Sequence, residues 1–129
     1  MLACLSWASC TTTPVATDCH KFKAGTFTVR HLDPKNGFSY LISRRNNIQI
    51  ETDQQTGDVS ELAIKWTGPC SYELQLLRST KHFSPAIEAM RRELPLKVEI
   101  IGYTDTYCLF QSHRTDDDPV YTDTLWIKK

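Results

Sequence analysis

The chain has 129 residues, 15 basic and 15 acidic, for a formal net charge of zero. That length suits one domain with a real buried core. There is no basic excess to displace counterions from phosphates, so no nucleic-acid partner is expected, and no run of about 18 apolar residues would make a membrane-spanning helix.

The first ten residues, Met1 to Cys10, are apolar, small and uncharged. They read as the end of a signal peptide that lacks its basic start. Ala8-Ser9-Cys10 has the small-small-Cys ending of a bacterial lipobox, which makes Cys10 the expected lipid attachment point and the membrane a partner through that anchor. Trp7 stands where a lipobox carries Leu. Thr11 to Asp18, rich in Thr with one Pro, offers nothing to pack and reads as a tether. The expected division is 1–18, signal remnant and tether, and 19–129, a single β domain.

In the folded part, Phe27, Val29 and His31 fall on one face of a first strand within Phe22 to His31. Pro34 and Asn36-Gly37 supply turn chemistry, because Pro presets φ and Asn-Gly accepts positive φ. Phe38 to Ser43 returns as a strand, Arg44-Arg45-Asn46-Asn47 makes a polar corner, and Ile48 to Thr52 alternates again. After a turn at Asp53 to Asp58, Val59 to Trp66 and Cys70 to Leu76 form a hairpin about Gly68-Pro69. Leu62, Ile64 and Trp66 share its buried side with Cys70, Tyr72, Leu74 and Leu76.

One helix is expected next. Ser84 is an N-cap, Pro85 occupies the first helical position, and Ile87, Met90 and Leu94 recur at helical spacing. Glu88 lies near the positive end and Arg91-Arg92 near the negative one; Pro95 stops the helix. At about ten residues it cannot stand alone, so its apolar stripe must cover the sheet or plug a barrel end. Leu96 to Ile101 is a strand with Leu96, Val98 and Ile100 inward. Two more strands, from Tyr107 to about Ser112 and from Tyr121 to Lys128, flank an acidic loop.

The fold class expected is all-β with one short helix. About eight strands with short connections form an antiparallel meander, either a lipocalin-like barrel or a strongly curved open sheet.

Five cysteines in so short a chain point to an oxidising compartment. Cys19 and Cys70 both sit at strand starts, and joining them would close a loop of about 50 residues. Cys70–Cys108 is the alternative pairing; Cys108 is otherwise a small buried thiol. No CxxC spacing is present.

The four histidines, His20, His31, His82 and His113, show no HxH or HxxxH spacing, so no metal site is expected. Asp116-Asp117-Asp118 lacks the alternating ligands of a calcium loop. No serine lies in a Gly-x-Ser-x-Gly elbow, and no Gly-rich loop cradles phosphate. Glu51, Glu61, Glu73 and Glu99 fall at outward strand positions, suited to a solvated face. No catalytic residue and no cofactor is therefore expected. A small enzyme would need His31 or His113 to meet a carboxylate in a cleft. Arg44, Arg45, Gln49 and Glu51, with Lys65 from across the sheet, form a polar group that reads as a cross-strand charge ladder or as a ligand-contacting patch.

The combination Cys19-x-x-Phe22-x-x-Gly25-x-Phe27, Arg45-x-x-x-Gln49-x-Glu51 and Trp66-x-x-x-Cys70-x-Tyr72-x-Leu74 resembles a group of short bacterial proteins, chiefly of the Bacteroidota. Some of these carry a topoisomerase label, which a chain this short and neutral cannot fulfil. Gly25-Thr26-Phe27 with the meander is also similar to lipocalin-like barrels, whose opening strand carries Gly-x-Trp. The first resemblance covers about Cys19 to Leu76 and is silent about activity; the lipobox-like ending at Cys10 and the cysteine content make a protein of the bacterial cell envelope, lipid-anchored or secreted, the expectation. The expected function is non-catalytic binding of a small apolar or amphiphilic ligand in the barrel, lined by Phe27, Ile50, Trp66, Tyr72 and Ile100. The alternative is a structural or protein-interaction lipoprotein with no pocket.

Overall fold

A computed structural model describes residues 17–30 and 39–129. The expected signal remnant with Cys10, most of the tether, His31 and the turn at Asn36-Gly37 lie outside the described residues.

Eight strands run in sequence order as a fully antiparallel meander: β1 (Gly25–Arg30), β2 (Ser39–Arg45), β3 (Ile48–Asp53), β4 (Val59–Gly68), β5 (Ser71–Ser79), β6 (Leu96–Tyr103), β7 (Tyr107–His113) and β8 (Tyr121–Ile127). One helix, α1 (Pro85–Glu93), joins β5 to β6. Pairing of β1 with β8 closes the sheet into a barrel, through the registers Phe27–Ile127 and Thr28–Trp126. The backbone N–H of Lys128 adds a bond to the Thr26 carbonyl at 2.9 Å. The open-sheet alternative is thereby set aside.

The alternation of each strand sorts side chains into an inner and an outer set. Phe27, Ile42, Ile64, Tyr72, Leu74, Val98, Ile100, Cys108 and Leu125 form the buried interior. One end of the barrel is sealed. A 3-10 turn, His20–Phe22, lays fully buried Phe22 against Phe27 and Tyr103, with ring centroids 6.1 and 5.7 Å away. The Cys19–Cys70 disulfide ties this turn to the β4–β5 connection, resolving the pairing in favour of the first alternative. Among the described residues Cys108 is the free cysteine, fully buried.

Two features depart from the sequence expectations near β2. The first strand starts only at Gly25, after the 3-10 turn. Arg44 and Arg45 are the last residues of β2 rather than part of a corner, and the turn itself is Asn46-Asn47, both at positive φ (53° and 61°). Two left-handed residues make the tight hairpin whose twist matches the flanking strands, and Asn tolerates that region. The consequence is that Arg44 is a strand residue, facing the interior.

Helix α1 forms where expected, with the Ser84 hydroxyl accepting from the Ile87 N–H at 3.4 Å. Its stripe is only partly covered: Met90 is half-buried, whereas Ile87 and Leu94 are 42% and 40% exposed. Strand β5 pairs with β6 only from Ser71 to Leu74. The helix lies beside the remaining part of β5, where Gln75 Nε2 donates to the Arg92 carbonyl and Arg92 Nη1 to that of Leu77. Backbone groups left without a strand partner are thus met by side chains of the helix and of β5.

Candidate functional site

The barrel interior is not filled along its whole length. Beyond the sealed end it holds a cavity of about 150 Å³. Its apolar walls are Val29, Ile42, Leu74, Leu96, Val98 and Phe110, one or two residues further along the same strands as the core residues that fill the closed end. Its polar residues are Arg44, Gln49 and Tyr72, with Tyr40 and Glu51 also in the lining.

The polar group is organised by Arg44, which is 3% exposed. Its Nε donates to Gln49 Oε1 at 2.7 Å, Nη1 to the Phe22 carbonyl at 2.8 Å, and Nη2 to the Tyr72 hydroxyl at 2.6 Å. The guanidinium also lies over the rings of Phe27 and Tyr72, 5.5 and 4.6 Å from their centroids. Gln49, 2% exposed, passes the chain on by donating Nε2 to Glu51 Oε2 at 2.7 Å. A buried charge demands such a set of partners.

Glu51 is half-buried by surface yet closely surrounded by protein, and burial pushes its carboxyl up from the ordinary value of 4.5. The bond from Gln49 and the charges of Arg44, Arg91 and Arg114 pull the other way without prevailing. Burial likewise raises Tyr72, against the opposing effect of Arg44.

A second, smaller hollow of about 60 Å³ shares Tyr40 and Glu51 with the cavity and marks its mouth. Around it stand Asp53, Asp58, Ser60, Lys81, Phe83 and Arg91. Asp53 Oδ1 is engaged with the N–H groups of Gln55 and Thr56, which hold its carboxyl below the ordinary range. Asp58 accepts from the hydroxyls of Thr56 and Thr80.

Of the residues expected to line a ligand cavity, Tyr72 does so. Phe27, Trp66 and Ile100 pack instead in or against the closed end, with the Trp66 ring tilted 46° against that of Tyr72, centroids 4.7 Å apart. Ile50 is a correction. It occupies the opposite phase of β3 from Gln49 and Glu51 and belongs to the outer set, because β3 turns its polar phase inward. For the same reason Glu51 is not on a solvated face, and the polar group is no surface ladder. Lys65 does not join it but pairs in register with Glu73 on the outer surface. Arg45 is exposed, and Arg44 takes the place that the Arg45-x-x-x-Gln49 spacing suggested. Glu61 meets Arg78 outside the barrel.

The wall residues Val29, Leu74 and Val98 were recoverable from alternation, being the inward neighbours of Phe27, Tyr72 and Ile100. Arg91 and Arg114 carried no such signal. His113 lies on the outer face of the barrel in a groove with Glu73, Lys97 and Glu99. Among the described residues no three His, Cys, Asp or Glu side chains are grouped to hold a metal.

Fold and site together define an eight-stranded antiparallel barrel with one sealed end and a small polar-floored interior cavity. Compared with protein-family models and with curated proteins, the sequence matches none.

Proposed function

We propose that this protein is a non-catalytic binding module of the bacterial envelope that holds a small amphiphilic molecule inside its barrel. The observation that carries the reading is the cavity itself: apolar walls converge on a fixed polar group, the arrangement expected of a ligand site. The hollow of about 150 Å³ is partly open to solvent, so a small molecule can enter it. A hollow of this size takes about six heavy atoms, the bulk of a benzene ring, so the ligand is short. The Cys19–Cys70 bridge supports an oxidising compartment, in keeping with export and attachment through Cys10.

The test is a titration of the ¹⁵N-labelled protein with hexanol and with benzene. Saturable shifts at the amides of Val29, Ile42, Val98 and Phe110 are expected. Shifts absent, or confined to the outer surface, remove the reading.

A second reading, a protein-interaction lipoprotein with no ligand, is favoured by the half-exposed Ile87 and Leu94 of α1. It requires instead that Ile87→Lys and Leu94→Lys abolish association with a partner while leaving probe binding unchanged.

A further inference from the structure

We infer that the sealed end of the barrel is a docking face for an anionic lipid surface. The inference does not depend on what the cavity holds, because it concerns the opposite end of the molecule.

The zero net charge conceals an uneven distribution. In a meander every second connection falls at the same end. The 3-10 turn, Asn46-Asn47, Pro69-Cys70, residues 104–106 and the residues after Ile127 therefore gather at the sealed end. Lys21, Lys23, Arg45, Lys128 and Lys129 stand there, against Asp18 and Asp105. The lysines of the sealing segment are held by uncharged partners. Lys21 Nζ donates to the Thr104 carbonyl at 2.7 Å and lies over the Tyr103 ring, and Lys23 lies over the Trp66 ring. Their charges are not neutralised by these contacts. The ion pairs among the described residues, Glu61–Arg78 and Glu88–Arg92, lie toward the other end. That end also carries Asp116-Asp117-Asp118, in the β7–β8 connection.

An aromatic pair marks the rim of the sealed end. Trp126, 41% exposed on the outer wall, is the penultimate residue of β8, and its ring centroid lies 4.8 Å from that of Tyr107, the first residue of β7. Trp and Tyr beside Lys and Arg are the composition of a membrane–water interface, where the rings sit at head-group level and the cations meet lipid phosphates. Tyr121, the other strongly exposed aromatic, lies near the acidic Asp116-Asp117-Asp118 run, which an anionic surface repels. The described chain enters beside the β4–β5 connection, where Thr17 borders Pro69 and Cys70. An anchor on Cys10 would thus draw the sealed end to the membrane, which favours lipid over a nucleic acid using the same cations. The cavity mouth then faces the aqueous side, and its ligand is collected from water.

The experiment is co-sedimentation of the full chain, without attached lipid, with vesicles of phosphatidylcholine and of equal parts phosphatidylcholine and phosphatidylglycerol. The mixed vesicles are expected to bind at least about tenfold more protein at low salt, and high salt to remove that preference. R45Q/K128Q/K129Q should lose the preference, whereas R30Q/K97Q, which removes cations away from this end, should keep it. In nanodiscs of the same mixture with a spin-labelled lipid, the wild-type amides of Thr104, Thr106 and Lys128 and the Trp126 indole should broaden, and those of Asp116-Asp117-Asp118 should not. Equal binding to both vesicles, equal losses in the two variants, or broadening centred on the β7–β8 connection overturns the inference. Tighter binding to duplex DNA than to the mixed vesicles at the same salt reassigns the face to nucleic acid and overturns it as well.

Discussion

Arg44 Nε donates to Gln49 Oε1 at 2.7 Å across the tight β2–β3 turn, and neither residue has more than 3% of its surface exposed. This bond sits between the packed half of the barrel and the hollow half. On one side Arg44 reaches the Phe22 carbonyl of the sealing turn; on the other Gln49 leads to Glu51 and the mouth. The polar group therefore links the plug to the cavity, and its removal is felt at both.

Arg44→Met should lower unfolding stability by at least about 2 kcal/mol, because it leaves Gln49, Tyr72 and the Phe22 carbonyl without their buried donor. The double variant R44M/Q49L should recover part of that loss, since one stranded group is removed with its partner. Urea denaturation measures both. An R44M protein as stable as wild type would mean that the group is not a buried network.

Glu51 sets a pH dependence. Its carboxyl is raised in the folded protein, so the folded state holds a proton that the unfolded chain has already released. Stability contributed by this group is thus fully present below the ordinary value of 4.5 and declines as pH rises through the folded value. Glu51→Gln should flatten that decline and raise the denaturation midpoint at pH 7. Midpoints collected from pH 4 to 8 check it; an unchanged slope removes Glu51 as the source.

The Cys19–Cys70 bridge spans 51 residues and holds the sealing turn in place. Replacing both cysteines by Ala should cost about 2–4 kcal/mol. The loss should match that caused by reducing agent on the wild type, and the variant should then be insensitive to the reductant.

Burial pushes the Cys108 thiol up to about 12. At pH 8 iodoacetamide should leave Cys108 unmodified in the native protein and label it fully in denaturant, read by mass spectrometry. Rapid native labelling would place this thiol at the surface.

Asn46 and Asn47 both hold positive φ. Substitution of either by Ala should destabilise by about 1 kcal/mol, and by Gly far less, because Ala keeps the Cβ in a left-handed residue without the local hydrogen bonding an Asn side chain offers, whereas Gly removes the Cβ. Thermal melts of the four single variants measure the difference. Equal effects of Ala and Gly would point to lost side-chain contacts instead.

What this chain determined by itself was local. Alternation in β4 and β5 marked Ile64, Tyr72, Leu74 and Leu76 as inward, and all four are buried. Ser84-Pro85 placed the start of α1, because a cap and a proline act within one turn of backbone. The closure of the barrel was decided by tertiary structure alone, since β1 and β8 lie at opposite ends of the described chain and meet through only two register pairs. So was the inner face of β3. Alternation there offers two sets, Ile48 and Ile50 or Gln49, Glu51 and Asp53, and hydrophobicity selects the apolar one. The fold turns the polar set inward because the neighbouring strand delivers a guanidinium to the same place, and Gln49 is the acceptor that allows Arg44 to be buried. That choice depends on a contact between two strands, which no single strand's pattern contains.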